Sequence, residues 1–192
     1  MGGSRVSFRK MEKDMKTKYK KNQVIYTNNN IFDCISEIVN TDNKSYTILV
    51  PHVCNNVDSF GAGFASAVYR NYPIVKENYH LLGKSAQLGY TQFVTALTNK
   101  KTDSKLIFCN MIAQNGIISQ SNQRPINYAA LVRCMIEIKK HIDTQESRND
   151  YGNTQIHAPK FGSGLAGGNW SFIEKLIEDI WYNIPTYIYL LK

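Results

Sequence analysis

The sequence predicts a single α/β domain with a mixed or parallel sheet. From Gln23 onward, short β-branched and aromatic runs alternate with segments of helical periodicity. A length of 192 residues fits one domain that buries its core without disulfides or metals. The composition, 43% hydrophobic and 20% charged, is typical of a globular chain. The four cysteines form no C-x-x-C motif and are interpreted as free thiols.

Six runs are predicted strands, and several are continuously apolar, so we expect them at the centre of the sheet. They are Gln23–Tyr26, Thr47–Cys54, Gln92–Leu97, Lys105–Met111, Thr154–Ala158 and Thr186–Leu191. Apolar residues at steps of three and four predict three helices. These are Phe64–Tyr72, which Pro73 is expected to end, Asn127–Ile142, and Trp170–Trp181, which Asn169 is expected to cap.

The first 21 residues differ from the rest of the chain in charge. They hold eight basic and two acidic residues and so carry most of the net charge of +8. We predict a flexible basic arm over residues 1–21, followed by one domain over residues 22–192. The arm is either a solvated end or a weak site for nucleic acid. No apolar run is long enough to span a membrane or to act as a signal peptide, so the expected location is the cytoplasm without membrane association.

Two glycine-rich segments each lie between a predicted strand and a predicted helix. The first contains Gly61-Ala62-Gly63, and the second runs from Pro159 to Asn169. Such turns bring backbone N–H groups close to an anion. Because both follow strand ends in one small sheet, two adjacent phosphates are the expected ligand. We expect a left-handed backbone at Gly164, while Gly61-Ala62-Gly63 alone also fits a plain tight turn. Neither segment is a Walker A or a G-x-G-x-x-G motif, which disfavours kinases, NTPases and Rossmann dehydrogenases.

The motifs in their order resemble the macrodomain family. The resemblance is carried by Val50–Asn55, Phe60–Ala65, Ala158–Leu165 and a Trp at the start of the following helix. It is strongest to the branch with the yeast-type ADP-ribose 1''-phosphate phosphatase and the terminal ADP-ribose protein glycohydrolase, which has many phage and microbial members. The resemblance implies a three-layer α/β/α sandwich around a mixed sheet of about six strands. It also implies ADP-ribose or ADP-ribose 1''-phosphate as the ligand, with no cofactor and no metal.

The resemblance carries over to individual ligand-binding positions. Asn30 corresponds to a residue that contacts the adenine amino group, and Asn55 to one near the distal ribose. Gln114 falls near the lysine of the glycohydrolase, so a covalent lysine mechanism is not expected. The two phosphate loops correspond to Gly61, Ala62, Gly63 and Phe64, and to Phe161, Gly162, Ser163, Gly164, Leu165 and Ala166.

The candidate catalytic residues are His52, Asn55 and Asp58. His52 also fits a histidine satisfied within the core, and Asp58 a residue that caps its own turn. His157 is expected to be structural, and His80 and His141 to be surface residues. Relatives that cleave ADP-ribose from protein often have acids where this chain has Ala65 and Ala166.

The expected function is therefore binding of ADP-ribose with hydrolysis of ADP-ribose 1''-phosphate to ADP-ribose and phosphate. Two alternatives stay open. One is a module that binds ADP-ribose or another NAD-derived ligand without turnover. The other is a hydrolase that removes ADP-ribose from protein or nucleic acid, which the two alanines disfavour.

Overall fold

The computed structural model describes residues 24–147 and 153–190. Six strands form one sheet: β1 (Val24–Thr27), β2 (Tyr46–Asn55), β3 (Thr91–Asn99), β4 (Ser104–Gln114), β5 (Asn153–Pro159) and β6 (Thr186–Tyr189). Their order is β1-β6-β5-β2-β4-β3. Only β3 and β4 pair antiparallel, so the sheet is mixed as predicted. The predicted basic arm, residues 1–21, lies outside the described residues.

Five helices cover the two faces of the sheet. They are α1 (Ile31–Val39), α2 (Gly63–Asn71), α3 (Pro73–Leu81), α4 (Tyr128–Ser147) and α5 (Trp170–Ile180), with a 3₁₀ turn at Gly83–Ser85. Successive residues of a strand point to opposite faces. Leu49 of β2 therefore packs with α4 and α5, whereas Ile48 and Val50 pack with α1, α2 and α3. The result is the three-layer α/β/α sandwich that the resemblance implies.

Two of the helices, α1 and α3, are absent from the sequence-based prediction. In α1 the buried residues Ile31, Ile35 and Val39 recur at four-residue steps, but the helix has only nine residues. Pro73 was expected to end a helix, and α2 does end at Asn71. The same proline begins α3, because a proline at the first helical position gives up no hydrogen bond.

A gap opens between β2 and β5 towards their carboxyl ends. The two strands pair only from Tyr46–Asn153 to Leu49–Ile156. Beyond that point β2 contains Pro51, which has no N–H to donate to a neighbour. β2 continues beside β4, and β5 continues beside β6. The loops that follow Asn55 and Pro159 therefore leave the sheet on either side of this gap.

No helix in the described part of the chain is long and apolar enough to cross a membrane. Within the same residues, no group of three or more His, Cys, Asp or Glu side chains is arranged to hold a metal ion.

Candidate functional site

A cavity of about 380 Å³ lies in the gap between the two glycine-rich loops. Four stretches of chain line it: the end of β2, the first loop with the start of α2, the end of β4 with the loop that follows, and the second loop. The predicted site residues among them are His52, Asn55, Ala62, Gly63, Phe64, Gln114, Phe161, Gly162, Gly164, Leu165 and Ala166. The cavity brings these residues together, while their contacts with a ligand stay predictions.

The first loop is held in place by the side chain of Asn55, which is 6% exposed. Its Oδ1 accepts from the N–H groups of Val57 (3.0 Å) and Ser59 (3.1 Å), and its Nδ2 donates to the Ser59 carbonyl (2.6 Å). The Tyr79 hydroxyl, from α3, donates to the Asn55 carbonyl (2.7 Å) and lies 3.0 Å from Oδ1. The hydrogen-bonding groups of Asn55 are thus engaged within the protein, and they fix the shape of the loop.

Asp58 and His80 form a second contact between the first loop and α3. Asp58 has a left-handed backbone, with φ of 55°. Its Oδ1 lies 2.5 Å from Nδ1 of His80, and both side chains are partly exposed. His80 is exposed, as expected of a surface residue, and its ring also holds a residue of the first loop. Asp58 itself is not among the residues that line the cavity.

The second loop is held mainly by its backbone. The N–H of Gly167 donates to the Gly164 carbonyl (2.9 Å), and that of Gly168 donates to the Gly162 carbonyl (2.8 Å). Gly162 and Gly167 have left-handed backbones, with φ of 73° and 71°. The expected left-handed residue, Gly164, does not. A Cβ at Gly164 would meet nothing within 4 Å, which leaves this glycine bordering open cavity space.

The two helices that follow the loops present different N-termini. Ala62, the residue before α2, provides no side-chain cap, and Gly63 at the first turn lines the cavity. The first N–H groups of α2 are thus available to an anion, and the helix dipole favours negative charge there. In α5 the side chain of Asn169 already accepts from the Phe172 N–H at 3.1 Å. Of these two helix ends, the one without a side-chain cap is therefore that of α2.

His52 lies at the base of the cavity in an aromatic environment. Its ring contacts those of Phe60, Phe64 and Phe108 at centroid distances of 5.7, 5.8 and 6.3 Å. Burial lowers the pKa of His52 to about 4, and the Asn110 amide opposes this shift only in part. The ring is therefore neutral at pH 7. The Asn110 side chain is thus close enough to act on the ring, but among the described residues no group meets hydrogen-bond geometry with Nε2 of His52.

Three predicted ligand-binding residues lie outside the cavity lining. Asn30 caps α1, since its Oδ1 accepts from the N–H groups of Phe32 (2.8 Å) and Asp33 (3.4 Å). The oxygen expected to accept from the adenine amino group is therefore already engaged. Ser163 donates to the Lys160 carbonyl at 3.0 Å, and Gly61 borders the loop without lining the cavity.

Several lining residues are missing from the sequence-based prediction, among them Ser59, Ile117, Ile118 and Lys160. Ile117 and Ile118 follow β4, where the sequence has no glycine-rich signal. Lys160 could have been predicted from the sequence, because it is a single basic residue directly before the Phe-Gly-Ser-Gly segment.

The fold and the paired loops are those of a macrodomain, and comparisons with known proteins agree. No protein-family model matches the chain. In structure it is similar to a protein from Bacteroides thetaiotaomicron (TM-score 0.70, 26% identity, 88% of this chain and 99% of the other). A macrodomain protein from Streptomyces coelicolor is similar as well (TM-score 0.61, 25% identity, 87% and 98%). A Thermosipho africanus DarTG in complex with ADP-ribose has the same fold (TM-score 0.61, 17% identity, 90% and 43%). The chain therefore has the macrodomain fold.

In sequence, the chain is similar to proteins named ADP-ribose 1''-phosphate phosphatase. A protein of that name from Lodderomyces elongisporus is 23% identical over 135 residues, or 70% of this chain and 81% of that protein. Another from Saccharomyces cerevisiae is 26% identical and covers 77% of this chain and 92% of its own length. An uncharacterized 17.5 kDa protein of Enterobacteria phage T4 is 24% identical over 130 residues.

Proposed function

We propose that this protein binds ADP-ribose in the cavity between the two loops and hydrolyses ADP-ribose 1''-phosphate. The observation that carries the proposal is the position of both glycine-rich loops on one cavity, beside the uncapped N-terminus of α2. This arrangement offers backbone N–H donors to two neighbouring phosphates. The names of the two yeast relatives and the ADP-ribose bound to the Thermosipho protein support the ligand class.

The proposed reaction uses water as the nucleophile. Water adds to the terminal phosphorus, and the bond between phosphorus and the 1''-oxygen breaks. The departing oxygen takes up the proton that the water gives up, so the products are ADP-ribose and phosphate. Backbone N–H groups of the loops stabilise the charge that grows on the phosphate oxygens.

The proposed reaction needs a group that activates the water. No Asp or Glu is among the described residues that line the cavity. Ala65 and Ala166 do line it, so the two positions expected to hold acids face the site without a carboxylate. The predicted candidates are the neutral ring of His52 and Asp58, whose carboxylate is paired with His80.

The same observation favours a second function, a module that binds ADP-ribose without turnover. A cavity with N–H donors and an apolar wall can bind a ligand whether or not a reaction follows. The described residues of the wall include no carboxylate, which also disfavours removal of ADP-ribose from protein or nucleic acid, because that reaction needs an acid or base near the glycosidic bond.

A substrate comparison separates these functions. The wild-type protein is incubated with ADP-ribose 1''-phosphate, with ADP-ribosylated protein and with ADP-ribosylated DNA, while phosphate and free ADP-ribose are measured. We expect release of phosphate from the first substrate alone. Tight binding of ADP-ribose without any turnover would support the binding module. Release of ADP-ribose from the protein or the DNA would support a hydrolase that removes ADP-ribose from macromolecules.

A pair of variants tests whether the cavity is the site. Gly164→Val puts a side chain into open cavity space and should weaken ADP-ribose binding by about a hundredfold or more, with the unfolding midpoint unchanged. The control is Ala129→Val, at an exposed position on α4 outside the cavity, which should bind as the wild type does. Equal binding by Gly164→Val in calorimetry would contradict the assignment of the cavity.

A further inference from the structure

Lys160 is the one charged side chain among the described residues that line the cavity. It follows directly after β5 and precedes the glycines of the second loop. The rest of the wall consists of apolar side chains, backbone, and the uncharged polar residues Asn55, Ser59 and Gln114 beside the neutral His52. Any charge-to-charge contact between this wall and a bound anion therefore falls to Lys160.

Two aromatic rings fix the position of the Lys160 ammonium group. Its Nζ lies 5.7 Å from the ring centre of Trp170 and 5.8 Å from that of Tyr26, which is the range of cation–π attraction. The rings are themselves linked, because Nε1 of Trp170 donates to the Tyr26 hydroxyl at 2.8 Å. That hydroxyl donates in turn to Glu174. A flexible lysine is thus held beside the cavity before any ligand arrives, which lowers the entropic cost of using it.

Among the described residues, no acid forms an ion pair with Lys160 within 4 Å. The neighbouring acid on α5 is Glu174, whose carboxylate accepts from Tyr26. Burial, with a further contribution from Glu174, raises the pKa of Tyr26 to about 12, so this hydroxyl remains neutral and keeps its role as donor.

We propose that Lys160, held over Tyr26 and Trp170, is the specificity-determining residue that recognises the diphosphate of an ADP-ribose-type ligand. This inference rests on the proposed function and deepens it. Cation–π contact holds the ammonium over the two rings, and its charge, which has no ion-pair partner among the described residues, selects anionic ligands over neutral nucleosides.

The test compares Lys160→Met and Lys160→Arg with the wild type. Met keeps the length and apolar stem of lysine without the charge, and Arg keeps the charge and the aromatic contact. Lys84→Met, an exposed lysine in the 3₁₀ turn, is the matched control. Affinities for ADP-ribose, inorganic pyrophosphate and adenosine are measured by calorimetry at low and at physiological salt.

We expect Lys160→Met to weaken ADP-ribose and pyrophosphate binding about tenfold, as for loss of one charged hydrogen bond, and to reduce the salt dependence. Adenosine binding and the Lys84→Met control should not change, and Lys160→Arg should stay within about threefold of the wild type. Where turnover is present, KM should rise while kcat stays within about twofold.

The outcomes separate this inference from the proposed function. If the wild type binds ADP-ribose and Lys160→Met binds it equally well, or if Arg and Met lose affinity equally, the role of Lys160 is overturned and the proposed function stands. If the wild type binds pyrophosphate through Lys160 but not ADP-ribose, the proposed function fails and the anion site stands. Binding of neither ligand overturns both.

Discussion

The two loops that flank the cavity are built by different means. In the first, one buried side chain, Asn55, supplies the hydrogen bonds, and α3 supports it through Tyr79 and His80. In the second, backbone groups bond to one another, and left-handed glycines allow the turns. Both constructions leave N–H groups near one cavity. The shape of a loop at the cavity can therefore be specified either by the side chains it contains or by the side chains it excludes.

The two constructions should fail differently when they are mutated. Loss of a side chain damages the first loop, whereas addition of a side chain damages the second. Three predictions follow this contrast, from the largest expected effect to the smallest.

Gly168→Ala should produce the largest loss of stability. A Cβ at this position would lie 2.4 Å from the carbonyl oxygen of Gly162, which is backbone and cannot rotate away. We expect the free energy of unfolding to fall by about 3 kcal/mol, as for a strongly overpacked site. Gly61→Ala is the control, because its Cβ would meet nothing within 4 Å. Urea denaturation measures both, and equal stabilities would show that the second loop can shift to make room.

Asn55→Ala should destabilise the first loop by a smaller amount. The substitution removes the acceptor of the Val57 and Ser59 N–H groups and the donor to the Ser59 carbonyl, at a largely buried position. We expect a loss of about 2–3 kcal/mol in the free energy of unfolding. Tyr79→Phe, which removes only the supporting hydroxyl, should cost about 1 kcal/mol.

The matched control for Asn55→Ala is Asn71→Ala. Asn71 is exposed on α2 and its amide makes one hydrogen bond, to the Ala67 carbonyl. Its loss should cost about 0.5 kcal/mol or less. If Asn55→Ala were as mild as this control, the first loop would owe its shape to the backbone, and the contrast between the two loops would disappear.

The difference between the loops also explains how much of the site could be predicted from the sequence. Glycines at fixed positions are visible in a sequence, so both loops and most of the cavity wall were predicted. The supporting contacts were not, because Tyr79 and His80 come from α3, a helix that was itself missing from the prediction. The position of the left-handed residues was also wrong, since Gly162 and Gly167, and not Gly164, adopt that backbone.

The fold was more predictable than the site because strand and helix periodicity is local. All six strands lie where the apolar runs indicate, and the largest deviation is at β4, which extends to Gln114. The cavity opens because β2 and β5 stop pairing after Leu49. These two strands are far apart in the sequence, so local periodicity does not show where their pairing ends. The contacts of Lys160 could not be predicted for the same reason. Lys160 is visible in the sequence beside the second loop, but one of the two rings it contacts, Tyr26, lies more than 130 residues away.

The smallest expected change in stability comes from replacing two histidines, one in the strand before each loop. Burial lowers the pKa of both His52 and His157 to about 4. His157 is satisfied, with Nδ1 2.8 Å from the Tyr189 hydroxyl and Nε2 2.9 Å from Oε1 of Gln155. Nε2 of His52 has no partner among the described residues. At pH 7.5, His157→Phe should therefore cost about 1–2 kcal/mol, because it removes the buried hydrogen bond to the Tyr189 hydroxyl. His52→Phe should change the free energy of unfolding by less than about 1 kcal/mol, since a phenyl ring suits a site formed by Phe60, Phe64 and Phe108.

The pH dependence of stability tests this contrast at the level of protonation. Because the folded-state pKa of each ring lies below the unfolded value of 6.5, the unfolded chain binds more protons between pH 6.5 and about 4. The stabilisation from each neutral ring is complete above pH 6.5 and is lost as the pH falls towards 4. Each Phe variant should therefore lose less stability than the wild type over that window.

Turnover by His52→Phe on ADP-ribose 1''-phosphate decides whether His52 is catalytic. If kcat falls by about a hundredfold while the fold and ADP-ribose affinity are retained, His52 is a catalytic residue and its unpaired nitrogen serves the reaction. If kcat is unchanged, His52 is a packing residue, and Asp58 in the first loop is the next candidate for the group that activates water.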